Sequence, residues 1–254
     1  MSQPFWVSAF LDFAPDEHDE GLALWERLTG YRRSPARGPH GEFATLQPEG
    51  ADDYLRVQRL ADGPTRIHVD VHVTDPGATA DELTAAGATV VDDKGDFVVL
   101  ESPGRFEFCL VSHPARRRPP PTSWPEGHSS FVDQVCLDIP PSSYDAEFDF
   151  WHRLTGWERK DREDGSEFGR LNPPPSFPVQ LLLQRLDEDE QRVRAHLDWS
   201  STDREAETAR HVAAGSERGE RFEGWTVMHG PAGMTYCVTA AHPERTYRGV
   251  VGPG

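Results

Sequence analysis

Two short strings, His68-Val69-Asp70 and His196-Leu197-Asp198, hold the residue types best suited to chemistry in this 254-residue chain. In an extended strand, residues two apart share a face, so each imidazole stands beside a carboxylate. Such a pair serves as a metal ligand with its orienting carboxylate, or as a structural pair whose Asp anchors a loop or the imidazole itself. The same alternation adds His72 to the first face and Ser200 to the second, and turns Val69, Val71 and Val73 toward a covering helix. Three cysteines, Cys109, Cys136 and Cys237, lie in apolar, strand-like runs. An odd number of thiols so placed reads as buried Cys in a reducing compartment, not as a disulfide framework. Asp187-Glu188-Asp189-Glu190 has the charge to chelate a hard cation, but a run of like charges is usually a solvated loop. His113, His152, His211 and His229 fall into no constellation. No glycine-rich phosphate loop, nucleophile elbow or CxxC pair occurs.

A regular order of elements must position these residues. Residues 6–13 alternate as a strand, and 16–28 carry Leu22, Trp25 and Leu28 at helical spacing, closed by Gly30. Strands follow at 43–46 and 54–60. The order then repeats with a strand at 66–73, a helix at 75–86 closed by Gly87, and strands near 89–91, 97–100 and 106–111. Strand, helix and two or three strands make a βαβββ module.

The whole arrangement occurs twice. Leu28-Thr29-Gly30-Tyr31 returns as Leu154-Thr155-Gly156-Trp157, and Gln58-Arg59-Leu60 as Gln184-Arg185-Leu186, each 126 residues on. After a two-residue insertion the spacing is 128, which pairs His68 with His196, Thr74-Asp75 with Thr202-Asp203, Ala85-Ala86-Gly87 with Ala213-Ala214-Gly215, and Cys109 with Cys237. Ordered matches at nearly constant spacing identify a tandem duplication. The expected domains are 5–113 and 128–242, joined by a proline- and arginine-rich linker at 114–127 and followed by a tail at 243–254.

Composition narrows the partners. With 26 Lys and Arg against 43 Asp and Glu, the net charge is −17, which disfavours nucleic acid and suits a cationic ligand. Arg116-Arg117-Arg118 reads as a linker docking on acidic neighbours. No apolar run approaches the length of a membrane span, and the first residues lack the features of a secretory signal. The expectation is a cytoplasmic protein without a membrane partner.

These motifs resemble those of the vicinal oxygen chelate superfamily, which holds glyoxalase I, extradiol dioxygenases and bleomycin-resistance proteins. The nearest likeness is a glyoxalase-like subgroup with FQR, HLD, AxGA and EFC strings. Copy one carries Val57-Gln58-Arg59, His68-Val69-Asp70, Ala85-Ala86-Gly87-Ala88 and Glu107-Phe108-Cys109. Copy two carries Leu183-Gln184-Arg185, His196-Leu197-Asp198, Ala213-Ala214-Gly215 and Thr235-Tyr236-Cys237. The resemblance implies an α+β fold of two tandem domains, each a pair of βαβββ modules forming a curved mixed sheet around a cleft. It also implies that fusion supplies the usual domain pairing, giving a monomer with an internal pseudo-dimer, or alternatively a homodimer.

Family catalysts hold a divalent metal with His, Gln or Glu on four inner strands. Carried over, the first position falls on Ser8 and Gln134, the end of the first module on Gln58 and Gln184, the strand after the crossover on His68 and His196, and the last strand on Cys109 and Cys237. Asp70, His72 and Asp198 share those faces, and Glu107 stands two residues from Cys109. A catalytic site of this kind wants three firm ligands and a carboxylate, which neither copy offers at the expected last-strand place. The expectation is therefore no bound metal. If either copy holds one, it is copy two, through Gln134 and His196. The leading functional reading is a metal-free protein that binds or sequesters a small cationic or aromatic molecule. The alternatives are a lyase, isomerase or dioxygenase using Zn, Ni, Mn or Fe on vicinal oxygens, and a non-catalytic scaffold.

Overall fold

The strings repeated between the copies turn out to be helix punctuation. The computed structural model describes residues 3–244 and places helix α1 at His18–Thr29 and helix α3 at Tyr144–Thr155. Both end on a glycine in the left-handed region, Gly30 (φ 70°) and Gly156 (φ 63°), where a side chain would be strained. The preceding threonine completes each cap. Thr29 Oγ1 donates to the Trp25 carbonyl at 2.7 Å and accepts the Tyr31 N–H at 3.2 Å. Thr155 Oγ1 does the same with Trp151 and Trp157, at 2.7 and 3.3 Å. At the other helix pair the repeat supplies the opposite end. Asp75 caps α2 (Pro76–Thr84) and Asp203 caps α4 (Arg204–Ala214), each accepting a backbone N–H three residues on at 3.0 Å.

Copy one supplies strands β1 (Trp6–Phe13), β2 (Arg32–Arg33), β3 (Phe43–Gln47), β4 (Leu55–Arg59), β5 (Arg66–His72), β6 (Thr89–Asp93), β7 (Phe97–Glu101) and β8 (Glu107–Val111). Their hydrogen-bonded order is β2-β3-β4-β1-β5-β8-β7-β6. After β9 (Thr122–Ser123), copy two supplies β10 (Ser129–Ile139), β11 (Glu158–Lys160), β12 (Phe168–Asn172), β13 (Gln180–Arg185), β14 (Arg194–Ser201), β15 (Glu217–Arg221), β16 (Trp225–His229) and β17 (Thr235–Thr239). Their order is the equivalent one, β11-β12-β13-β10-β14-β17-β16-β15, with β9 added on β10. Both sheets are mixed: β5–β8 and β14–β17 run parallel, the hairpins antiparallel. The expected α+β architecture of two βαβββ modules per copy is what the chain adopts. The differences are local. The two-residue strands β2 and β9 are too short to leave a periodicity, and α2 stops at Thr84 because Gly87 (φ 101°) turns the chain and Ala88 N–H bonds back to the Leu83 carbonyl.

Packing divides the chain into two compact units, each drawing on both copies. The first combines the stretch ending at Ala9 with His68–Arg116 and Val135–Ala195. Its core sets the α3 residues Phe150 and Trp151 edge-on to Phe108 of β8, with ring centroids 5.8 and 5.2 Å apart. Glu147, fully buried on α3, accepts the Gly104 backbone N–H and, at 2.8 Å, the Trp151 indole N–H.

The second unit combines Phe10–Ile67, Arg117–Gln134 and the stretch from His196 onward. Here Trp25 of α1 stacks on Trp199 of β14 (5.9 Å) and meets Tyr236 of β17 (5.5 Å). A β-carbon at Gly21 would collide with the Phe13 ring, so the glycine lets α1 approach β1. Arg27 donates to the Ala214 carbonyl ending α4, and Arg210 to the Leu28 carbonyl near the end of α1 (3.0 and 2.8 Å), so each cation sits at the negative end of the other helix. Arg117 of the linker pairs with Asp52 through its backbone N–H at 2.8 Å, and Arg118 lies over the Phe131 ring at 4.8 Å. No described helix is long and apolar enough to cross a membrane. Of the expected tail, residues 245–254 lie outside the described residues.

Candidate functional site

In the first unit, β5 and β8 bring three donor residues together. His68 and Asp70 alternate onto one face of β5, and Asp70 lies opposite Cys109 in the parallel ladder, so all three side chains emerge on the same side. An imidazole nitrogen, a carboxylate oxygen and the thiol lie within 4.8 Å of one another. His68 Nε2 is 3.7 Å from Asp70 Oδ1. All three residues are buried. Burial pushes the Cys109 thiol up, a hydrogen bond with His68 opposes this, and the charges of Asp70 and Glu107 push it further up. Cys109 therefore carries its proton at neutral pH.

Ser8 and His72 are occupied with each other. Both are fully buried, and Ser8 Oγ lies 2.9 Å from His72 Nε2. His72 Nδ1 is 2.7 Å from the His113 carbonyl, which can only accept. Nδ1 therefore bears the proton, and the serine hydroxyl takes up Nε2, so both ring nitrogens are already engaged. Glu107 is half-buried at the start of β8, in register with Glu101. Gln184, on β13, sets its carbonyl oxygen 3.8 Å from the buried Cys136 thiol, a neighbour that sequence reasoning left unassigned.

In the second unit the equivalent residues make a different arrangement. Gln134 of β10, where copy one has Ser8, donates its amide N–H to Asp198 Oδ2. The amide must face this way, because its oxygen would repel a carboxylate. Asp198 Oδ1 is fully buried and accepts no hydrogen bond. His196 Nε2 stands 3.4 Å away, beyond the roughly 2.7–3.2 Å of an N–H···O bond. Cys237 pairs with Asp198 in the parallel β14–β17 ladder. Gln58 is half-buried on β4, in register with Phe43.

The second unit also holds a buried network that the sequence patterns above do not single out. Glu207 of α4 is bonded by Arg210 (2.7 Å), His211 (2.9 Å) and His128 (2.6 Å). His211 Nδ1 lies 3.1 Å from the Tyr236 hydroxyl, which is 2.7 Å from Ser216 Oγ. Burial alone would raise the Glu207 carboxyl, but the bonds from Arg210 and His211 outweigh it and hold the group well below the usual carboxylate range. Only an i, i+4 Glu–His pair on one helix hinted at it.

A glyoxalase-like domain family model matches residues 8–111 and again 134–239. No curated protein matches the chain. Among solved structures, the Mn(II)-bound glyoxalase from Novosphingobium aromaticivorans superposes with a TM-score of 0.64 at 14% identity, covering 94% of this chain and 83% of that one. The 2,3-dioxygenase LapB from Pseudomonas sp. KL28 gives 0.64 at 12% identity, covering 94% and 93%. A catechol 2,3-dioxygenase gives 0.60 at 14%, covering 96% and 90%. Identities this low speak for the fold alone. A hard ion such as manganese favours oxygen and imidazole donors. The residues present fit such an ion poorly: a thiol holds the last-strand place in both copies, and Gln134 turns a donor, not an oxygen, toward Asp198.

Proposed function

The chain belongs to the glyoxalase-like domain family of the vicinal oxygen chelate superfamily, and from that premise we propose that it binds a small nitrogenous cation without catalytic metal. The observation that carries this reading is Asp198 Oδ1, a buried carboxylate oxygen that accepts no hydrogen bond. A buried acceptor left unmet is costly, and a charged one most of all. An ammonium or amidinium N–H would satisfy it, with Gln134 holding the other oxygen in place and His196 beside it. A quaternary ammonium, which has no N–H, would not. The net charge of −17 favours encounter with a cation.

Thermal unfolding of the full chain tests the proposal, using benzamidine, benzylamine and benzyltrimethylammonium as probes. A ligand that binds only the folded state raises the melting point, by the equivalent of about 2.7 kcal/mol at a hundred times its dissociation constant. The two N–H cations should raise it in the wild type and not in Asp198→Asn, and the quaternary cation should do nothing. Failure of both N–H cations, or stoichiometric manganese or iron in protein purified without a metal column, overturns the reading.

A further inference from the structure

We propose that a pocket on the α3 side of the first unit binds a free α-amino acid as its zwitterion, with the carboxylate on Arg185 and the ammonium on Glu167. The pocket shares no residue with the cation-binding reading at Asp198, which lies in the other compact unit.

The pocket has a volume of about 490 Å³, within the roughly 300–1,000 Å³ of small-molecule sites. It opens where the β11–β12 loop meets the end of β13, and its walls include Arg162, Ser166, Glu167, Arg185 and Asp187. Register decides which side of the sheet it occupies. Gly169 pairs with Leu183 and Phe168 with Gln184, and one step on, the Arg185 N–H donates to the Glu167 carbonyl at 2.8 Å. A β-carbon at Gly169 would strike Tyr144 and Phe148 of α3. By alternation, Glu167 and Arg185 emerge on this same side, and Gln184 on the reverse. The pocket is therefore separate from the face that carries the candidate ligand position Gln184.

Glu167 and Arg185 are thus half-buried cross-strand neighbours of opposite charge. Such a pair ordinarily closes on itself. Here it stays open: among the described residues neither side chain forms an ion pair or a hydrogen bond, and nor does that of Asp187 just beyond β13. Asp189 feels the Arg185 charge but is spent elsewhere, on the Ser142 N–H at 3.0 Å, which is the main cause of its lowered carboxyl. Arg162 lies over the Tyr144 ring at 5.2 Å and donates to the Ser166 carbonyl at 2.7 Å, closing the loop beside the pocket.

The walls therefore hold two guanidiniums and two carboxylates, neutral in sum within a chain of net charge −17. A simple anion is repelled by Glu167 and Asp187, and a simple cation by the two arginines. A molecule carrying both charges a few bonds apart meets each with its opposite. The planar fork of Arg185 suits a carboxylate, and an ammonium supplies the N–H donors that Glu167 lacks. An α-amino acid has this charge pattern, and the volume leaves room for its side chain.

Calorimetric titration of the full chain tests the proposal. L-Leucine or L-glutamine should give a saturable heat at one molecule per chain. 4-Methylpentanoate, which is leucine without its ammonium, should give none. L-Leucinamide, which lacks the carboxylate, should give none in Asp198→Asn, where the other site is removed. Arg185→Gln and Glu167→Gln should each weaken amino-acid binding by more than about tenfold with unchanged circular dichroism, the scale of one lost charge-assisted contact. Arg185→Lys keeps the charge without the fork and should weaken it less than Arg185→Gln does. Silence of both amino acids, equal binding of 4-methylpentanoate, or undiminished binding by Arg185→Gln would sink the proposal. Asp198→Asn should leave amino-acid binding intact, so either reading can fail without the other.

Discussion

Asp70 lies directly opposite Cys109 in the parallel β5–β8 ladder, and this places a buried negative charge beside a buried thiol. Burial is the largest influence holding the Cys109 thiol up, and Asp70 adds to it. Alkylation requires the thiolate. In chelator-treated protein, Cys109 should therefore react sluggishly with iodoacetamide near neutral pH and faster as pH climbs past the ordinary thiol value of 9.0. Asp70→Asn removes one cause of the shift and should quicken alkylation at any fixed pH, read peptide by peptide in the mass spectrometer. An unchanged rate would mean that the carboxylate does not act on this sulfur.

The buried Glu207 predicts an acid limb in the stability curve. Its carboxyl titrates below the ordinary value of 4.5, because the bonds from Arg210 and His211 outweigh burial. A depressed carboxyl contributes stability that is fully present above the unfolded value and lost as pH falls through the folded one. Glu207→Gln should cost about 3–5 kcal/mol at neutral pH, since it leaves the Arg210 cation poorly compensated. The variant should also lose less on acidification than the wild type does. Urea unfolding at several acidities checks both.

The helix caps offer a smaller and cleaner test. Asp75→Ala and Asp203→Ala each remove one side-chain acceptor from a helix start, and each should cost about 1 kcal/mol in urea unfolding. Equal losses would reflect equivalent roles in the two copies. A loss well below a few tenths of a kcal/mol at either site would deny the cap its role there.

Those caps also show why the fold was so readable. Thr-Asp before a helix and Leu-Thr-Gly after one are local signals, written twice at nearly constant spacing, and backbone geometry obeys them locally. Strand alternation worked for the same reason along β5. What escaped was non-local. Nothing near Trp25 in sequence says that it stacks on Trp199, so the grouping of half of each copy into one compact unit had no signature. The Ser8–His72 bond spans 64 residues, and it turns two candidate ligands into a closed pair. His211 stood in no sequence constellation because Tyr236, which it meets, and His128, which shares Glu207 with it, arrive from β17 and from the residue just before β10. Chemistry-bearing residue types were legible; the partners that decide their lone pairs were not.

Glu147 should give a pH dependence of the opposite sign to Glu207. It is fully buried on α3, and its partners, Ser102, the Gly104 N–H and the Trp151 indole, are all neutral. Burial therefore prevails and raises its carboxyl above the ordinary value of 4.5. A raised carboxyl favours the folded state while protonated. That contribution is fully present below the unfolded value and is lost as pH rises through the folded one. Glu147→Gln cannot titrate, but its amide sets an N–H against the donors of Gly104 or Trp151, which should cost about 1–3 kcal/mol in acid. As pH rises and the wild type gives up its own contribution, the gap between the two proteins should narrow and then level off. Urea midpoints for both proteins, from below pH 4.5 up to neutrality, test this directly. A gap that widens with pH would mean that the three donors, not burial, control the carboxyl, and that Glu147 stays ionised in the folded protein.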